Sequence, residues 1–386
     1  MKINPWLQSS LAGVAAVSLL IYVLACATSF SPDDRQVLYP SLDSQTGATG
    51  VAVYDRKSGR SEMLFTAAMA DVATNQQPVP MRAEWLPDGK HVLIAEAVGD
   101  DLLELLVLPR GVQEPVRHFA LPNAKDAATS LEFPFAVIGS QLFLNGEKRD
   151  PLRVNLLTGE VAGGAEATNE VFALPSPDGK SIVGLRDLKE GGSAQFGIID
   201  PTSLQFKSFG QTGTNLADGT LPAFDPSDGR VLFIATTGDH LQLQVVKDGQ
   251  TEFTRPLTRD GTTLQTGPFL ELAHDGKSVL TTYCATNAAS TNAEYGLLEI
   301  PCSDAPLRFT PLFHAKADKD TDLITAQPSL SHDGKTWAIG TAFLYLQNDS
   351  LRSEDCALFL VDLSKSNRPV TKVPIPAPPQ RKPLVK

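Results

Sequence analysis

The pentapeptide Ser176-Pro177-Asp178-Gly179-Lys180, followed by the apolar run Ser181-Ile182-Val183-Gly184-Leu185, reads as a tight turn that launches a buried strand. Variants recur down the chain as Ser31-Pro32-Asp33-Asp34-Arg35, Leu86-Pro87-Asp88-Gly89-Lys90, Pro226-Ser227-Asp228-Gly229-Arg230, Ala273-His274-Asp275-Gly276-Lys277 and Ser331-His332-Asp333-Gly334-Lys335. The aspartates at 33, 88, 178, 228, 275 and 333 fall about 50 residues apart, with one gap of double length. The stretch Phe133 to Leu144 fills that gap, keeping the strand–turn–strand shape without the aspartate, and brings the count to seven units. A repeat of this length constrains the fold strongly, because a unit that cannot bury both of its faces alone must stack on its neighbours.

The motif residues have local work to do. Proline fixes φ at the first turn position, aspartate bonds to the backbone of the turn, and glycine supplies positive φ at its close. Asp34 replaces that glycine in the first unit, and aspartate tolerates the left-handed conformation better than most residues. His274 and His332 stand where proline stands elsewhere and read as turn residues. Asp33, Asp88, Asp178, Asp228, Asp275 and Asp333 are therefore assigned a structural role.

Each unit continues into a third strand, such as Gly50 to Asp55, Phe196 to Asp200 or Ala357 to Leu363, and several have a fourth, such as Val116 to Phe119 or Val370 to Pro374. Four short antiparallel strands at this period predict an all-β, seven-bladed β-propeller over residues 27–375. The strand–SPDGK–strand unit resembles the repeat of TolB-type and related WD40-like propellers of bacterial envelopes, over nearly the whole chain after residue 26. The resemblance implies fold and not activity, because the shared residues make turns. The amino-terminal domain that accompanies the propeller in TolB has no counterpart here, and the partner roles of TolB are not carried over.

Before the propeller, Leu11 to Ala25 (LAGVAAVSLLIYVLA) is an apolar run of about 15 residues, the length of a signal h-region. It ends Val23-Leu24-Ala25-Cys26, which resembles the lipobox of bacterial lipoproteins and implies lipidation at Cys26. Three readings of residues 1–26 stand side by side: a lipoprotein signal cleaved before Cys26, an uncleaved anchor helix extended by Ala27 to Phe30, and an ordinary secretion signal. All three place the remaining chain outside the cytoplasm. The anchored readings put it on the periplasmic face of a bacterial membrane. Residues 376–386 are rich in proline and basic residues and read as an extended tail.

The net charge of −11, without a dense lysine–arginine cluster, argues against a nucleic-acid surface. No GxSxG elbow, HExxH, CxxCH or P-loop occurs, and no cofactor is expected. Asp318, Asp320 and Asp322 alternate as carboxylates do in calcium loops, but Gly at the sixth position and Glu at the twelfth are missing. The segment reads as a solvated inter-blade loop, with cation binding as its alternative. Of the four cysteines, Cys284 and Cys356 are expected near the loops between second and third strands, where a disulfide is the alternative to free buried thiols. Cys302 is expected at the opposite rim.

The loops Ala285 to Glu294 and Gln347 to Asp355 look long, and long loops carry function more often than cores do. Asn287, Asn292, Glu294, Asn348, Asp349, Arg352 and Glu354 are the candidate binding-rim residues. The innermost strands read as apolar or small, with Arg82, Glu84 and Glu271 as exceptions. The expected function is a protein-interaction scaffold or accessory subunit of a membrane or envelope complex. The alternative is a small-ligand sensor or enzyme with its site at the propeller's central channel.

Overall fold

Turn chemistry decides where each sheet begins. The closing turn residue has positive φ at Gly89 (64°), Gly229 (77°), Gly276 (65°) and Gly334 (67°), and at Asp34 (54°) in the first unit. The degenerate unit keeps the same device at Gly139 (59°). The computed structural model describes residues 27–42, 49–66, 79–98, 102–122, 135–146, 149–163, 171–176, 180–186, 193–214, 221–225, 227–238, 240–267, 269–287, 292–316, 321–325, 327–347, 350–374 and 376. Over these residues the chain is all-β, a seven-bladed β-propeller of antiparallel four-stranded blades taken in chain order.

Blade one comprises β1 (Ser29–Phe30), β2 (Gln36–Leu42), β3 (Thr49–Asp55) and β4 (Arg60–Thr66). Blade two comprises β5 (Val79–Trp85), β6 (His91–Val98), β7 (Leu102–Pro109) and β8 (Arg117–Pro122). Blade three, the unit without aspartate, comprises β9 (Ala136–Ile138), β10 (Gln141–Gly146), β11 (Arg149–Asn155) and β12 (Val161–Gly163). Blade four comprises β13 (Val171–Pro175), β14 (Ile182–Arg186), β15 (Ser193–Ile199) and β16 (Phe206–Thr214). Blade five comprises β17 (Ala223–Asp225), β18 (Arg230–Thr237), β19 (His240–Lys247) and β20 (Gln250–Leu257).

The last two blades split their inner position between two short strands. Blade six comprises β21 (Thr263–Thr266), β22 (Glu271–Leu272), β23 (Ser278–Thr286), β24 (Asn292–Pro301) and β25 (Arg308–Lys316). Blade seven comprises β26 (Thr321–Thr325), β27 (Ser329–Leu330), β28 (Thr336–Gln347), β29 (Ser350–Asp362) and β30 (Val370–Pro374).

The described chain forms two compact units. One holds blades three to six and the other holds blades seven, one and two. Within each, blades bury their faces against neighbours. Phe30, Val37, Tyr39 and Ala52 of blade one pack with Ala338, Leu358, Leu360 and Val373 of blade seven. The other face of blade one, through Leu38, Val51 and Val53, packs on Ala83, Trp85, Val92 and Ile94 of blade two. In the other unit, Ala136 and Phe143 pack on Ala173, Ile182 and Ile199, and Leu232, Ile234 and Leu243 pack on Val279, Tyr283 and Leu298. Burial on both faces is why the middle strands read as near-continuous apolar runs rather than as alternating ones. Each large aliphatic side chain so buried contributes about 1.5–3 kcal/mol.

Arginines tie blades together at the surface. Arg110 of blade two donates to Gln36 Oε1 (2.8 Å) and Asp33 Oδ2 (3.0 Å) of blade one. Arg56 of blade one donates to Thr336 Oγ1 of blade seven (2.6 Å). In the other unit Arg153 donates to the carbonyls of Pro201 (3.1 Å) and Thr202 (2.9 Å), and Arg230 donates to Gly276 O (3.1 Å).

Several sequence expectations are corrected. The inner strand of blade one is Ser29–Phe30 and not Ala27 to Phe30, because Ala27 instead forms a parallel bridge with Gln327 of blade seven. The supposed loop Ala285 to Glu294 is ladder at both ends, since Ala285 pairs with Glu294 and Thr286 with Ala293, while residues 288–291 lie outside the described residues. The supposed loop Gln347 to Asp355 is strand at Gln347 and from Ser350 on, with Gln347 opposite Ser350, Arg352 opposite Tyr345 and Glu354 opposite Phe343. Asp322 does not lie in an inter-blade loop but in β26, opposite Leu344. Polar residues in these segments mimic loop composition, but the cross-strand ladder satisfies their backbone and wins.

Candidate functional site

The repeat turns come first, because they fix the rims. Asp33, Asp88, Asp228, Asp275 and Asp333 each accept the backbone N–H two residues on, at 2.8–3.2 Å. The buried Ser31, Ser176 and Ser331 accept the N–H five residues on, at 2.9 Å in each case. Burial pushes the Asp33 carboxyl up, but bonds from Ser31, Arg110 and the Arg35 N–H outweigh it and hold the group at about 2. Asp178 lies outside the described residues. Asp34 does more than turn the chain. Its carboxylate accepts from His332 N (2.7 Å), from His332 Nδ1 (2.9 Å) and from Asp333 N (2.8 Å), so the turn of blade one clasps the turn of blade seven.

Two of the charged exceptions on the innermost strands, Arg82 and Glu84, meet one another. Arg82, only 2% exposed, donates through Nε to Glu84 Oε1 (2.5 Å) and through a terminal nitrogen to Gln327 Oε1 (2.5 Å). Next to Gln327, Thr28 donates from N and from Oγ1 to the Gln327 carbonyl, both at 2.9 Å, and from Oγ1 to Ala338 O at 3.2 Å. Ser329 Oγ donates to Thr28 Oγ1 (3.2 Å), and Ser29 Oγ accepts the Trp85 N–H (3.1 Å). The cluster spans blades two, one and seven. A buried guanidinium held by a carboxylate and an amide is a clasp, because its donors are committed inside the protein. Glu271 lies in β22 opposite Leu280.

A second cluster sits on blade six. Arg259, just after β20, donates to Glu294 Oε1 (2.5 Å), which also accepts from the Tyr283 hydroxyl (2.5 Å). The guanidinium lies 4.9 Å from the Phe309 ring centroid and 5.8 Å from that of Tyr283, and the two rings meet edge to face at 5.1 Å. Burial and then the neighbouring Glu294 carboxylate push the Tyr283 phenol well above its usual range. Burial raises the Glu294 carboxyl, but the bonds from Arg259 and Tyr283 prevail and lower it. Gly296 makes the close packing feasible, since a Cβ there would collide with Thr310 O and the Tyr283 ring. Of this cluster the sequence singled out only Glu294. Arg259, Tyr283 and Phe309 come from three other segments, and no linear motif joins them.

The remaining rim candidates are placed as follows. Asn287 is exposed at the end of the blade-six hairpin, and Asn292 opens β24 opposite Lys316. Arg352 and Glu354 lie in β29. Asn348 and Asp349 lie outside the described residues, as do Cys26, Asp318 and Asp320. Cys284 and Cys302 are free, half-buried thiols that burial pushes up. Cys356 lies in β29 at a register shift, where Thr341 pairs with Ala357 and Phe343 with Glu354. Among the described residues, no group of three or more His, Cys, Asp or Glu side chains is arranged to hold a metal.

That register shift begins an extension of the seventh blade. Beyond it, β28 and β29 continue as a hairpin from Phe343–Glu354 to Gln347–Ser350. On the β28 side, β26 accompanies the hairpin by pairing with Thr341 to Tyr345. On the β29 side, β30 stops at the Ala357–Pro374 pair. Among the described residues, which leave out 375 and 377–386, no strand flanks Ser350 to Cys356.

No protein-family model matches the chain, and comparison with curated proteins finds no match. Solved structures similar to it include an oligogalacturonate lyase from Vibrio parahaemolyticus, 12% identical, covering 87% of this chain and 84% of that one with a TM-score of 0.47. The β-propeller domain of the Trilobed protease from Pyrococcus furiosus is 13% identical and covers 73% of this chain and 79% of that one, with a TM-score of 0.43. An acylaminoacyl peptidase in complex with a chloromethyl ketone is 12% identical and covers 83% of this chain and 50% of that one, with a TM-score of 0.48. At such identities nothing about activity, substrate or partner passes to this chain.

Proposed function

We propose that this chain is a membrane-tethered, extracytoplasmic β-propeller of the TolB-like, WD40-like kind that works by docking a protein, as a scaffold or accessory subunit of a membrane or envelope complex. The observation that carries the reading is that, among the described residues, no strand flanks β29 over Ser350 to Cys356. An edge strand offers a row of unpaired backbone N–H and C=O groups, and natural proteins normally cover or blunt such edges. A partner strand added there gains main-chain hydrogen bonds, the mode of recognition used in β-augmentation. The tether rests on the lipobox-like Ala25-Cys26 and the apolar run before it.

The test is to replace residues 342–356 by an Asn-Gly turn joining Thr341 to Ala357, which already face each other in register. Co-purification from detergent-solubilised membranes is then measured against the parent chain. The reading expects a stoichiometric partner with the parent and loss of that partner with the trimmed chain, whose β-sheet circular dichroism is retained. Undiminished co-purification would overturn it. The alternative, a small-ligand sensor or enzyme built on the innermost strands, has Arg82 and Glu84 in its favour. Their mutual bond and the burial of Arg82 support a clasp instead.

A further inference from the structure

The seam between the last blade and the first is tied by side chains. Each sheet takes its strands from one stretch of chain, so among the described residues no strand is exchanged between blades seven and one. The main-chain pairing across the seam is one parallel bridge there, Ala27 with Gln327. The segment entering blade one reaches into blade seven. Thr28, only 4% exposed, donates from N and from Oγ1 to the Gln327 carbonyl, and from Oγ1 to Ala338 O. The segment leaving blade seven reaches back. Ser41 shares a face of β2 with Val37 and Tyr39, which pack on blade seven. Its hydroxyl, wholly buried, donates at 2.6 Å to the carbonyl of Pro376, two residues past the end of β30.

Asp34 is the third tie, and the repeat itself sets it apart. The closing turn position is glycine at 89, 229, 276 and 334, where φ lies between 64° and 77°. A side chain at such a φ is strained in a way that glycine is not. Asp34 holds φ 54° with its side chain in place, and that side chain crosses the seam. Its carboxylate takes two backbone N–H groups and one imidazole nitrogen from His332 and Asp333. Bonds to an ionised acceptor are the strong ones, and this carboxylate is mostly buried, with 16% of its side chain exposed. Arg56 braces the arrangement from behind. One terminal nitrogen donates to Asp34 O (2.7 Å), the other donates to Thr336 Oγ1 of blade seven (2.6 Å), and the guanidinium stands 5.5 Å from the Phe30 ring centroid. A glycine at position 34 would close the turn with less strain and would lose the grip on blade seven.

We propose that blades one and seven are locked by a side-chain latch in place of an exchanged strand, with Asp34 and Thr28 reaching into blade seven, the segment at Pro376 reaching back into blade one, and Asp34 standing at a glycine position for this purpose. The inference is independent of the docking reading. The experiment is amide hydrogen exchange on the full chain, comparing the parent with Asp34→Gly, Asp34→Asn and Thr28→Val. Exchange is read in β2 of blade one, in residues 336–341 of blade seven, and in β18 of blade five as the reference. Asp34→Gly relieves the turn, so a residue that only turned the chain would leave exchange unchanged or slower. The latch predicts the opposite, exchange about tenfold faster in the two seam strands with β18 unchanged. Asp34→Asn tolerates the same φ and keeps one acceptor oxygen, and should fall between parent and glycine. Thr28→Val keeps the shape and removes the hydroxyl, and should speed the same two strands, which gives a second reading should Asp34→Gly fold poorly. Unchanged or slower exchange in the seam strands of Asp34→Gly would overturn the latch. So would equal acceleration of β18 and the seam strands in both Asp34→Gly and Thr28→Val, because the loss would then be general and not local to the seam.

Discussion

Blades six and seven end in the same kind of device and finish it differently. In each, the inner position is split in two, and the first piece accompanies a lengthened hairpin of second and third strands. In blade six both edges of that hairpin are covered. The strand β21 pairs with Tyr283 to Thr286 on one side, and β25 follows β24 out to the Asn292–Lys316 pair on the other. Its interior is filled by the Arg259–Glu294–Tyr283 cluster over Phe309. In blade seven the inner edge is covered by β26, and among the described residues no strand covers the outer edge of β29 before Ala357. The bulges differ in the same sense. Blades one, four, five and six place theirs between third and fourth strands, whereas blade seven places its own between second and third, at Thr341 and Phe343. A bulge sharpens the local twist and bends the strand. One repeat is thus finished in two different ways.

The comparison can be broken from the blade-six side. Gly296→Val should have the largest effect, because its side chain would meet Thr310 backbone and the Tyr283 ring. A cost of about 3 kcal/mol is expected from overpacking that backbone cannot relieve, read as a lower midpoint in urea. The folded fraction should still bind the partner, since the docking edge belongs to blade seven. Glu294→Gln should cost less, about 1 kcal/mol, because it removes the charge opposite the partly exposed Arg259 but leaves an acceptor for the Tyr283 hydroxyl. Loss of partner binding with either variant would show that blade six shares the docking work.

A smaller effect separates the repeat-turn end from both hairpins. The Asp33 carboxyl is held at about 2, below the 3.8 of an ordinary aspartate. Depression of the folded value means that its contribution is present above pH 3.8 and is lost as pH falls through about 2. Acid unfolding of Asp33→Asn should therefore lose part of its steepness in that window. A curve identical to that of the parent would show that the Ser31 and Arg110 bonds are absent in solution. The effect is small because the Asp33 side chain is half exposed.

The architecture was legible because it is punctuated. Proline, aspartate and glycine at a fixed period announce where each blade's inner strand turns into its second, and Asp34 could be read as a stand-in for glycine before its φ of 54° was known. The split inner strands and the long hairpins were not legible. Thr321 and Asp322, or Ser350 to Glu354, are polar enough to read as loop, and only the register shows them paired. Strand propensity depends on cross-strand neighbours, which a linear pattern does not contain. For the candidate sites the outcome was mixed. Arg82 and Glu84 stood out as charges on an apolar strand, and the structure joins them. Glu294 reads as a loop residue in the sequence, whereas it is the hub of a packed cluster. Its partners Arg259 and Tyr283 are 35 and 11 residues away and carry no motif.

The most direct measurement of the open edge is backbone amide hydrogen exchange on the full chain, alone and in the co-purified complex. Antiparallel pairing ties up alternate amides on each side of a strand, so roughly half of those in Ser350 to Cys356 have no strand to pair with among the described residues. The account predicts fast exchange of those amides in the free protein, slow exchange across Asn292 to Pro301, and protection of the 350–356 stretch when the partner is bound. Equal, slow exchange of both stretches in the free protein would contradict it, because the edge of the seventh blade would then already be covered.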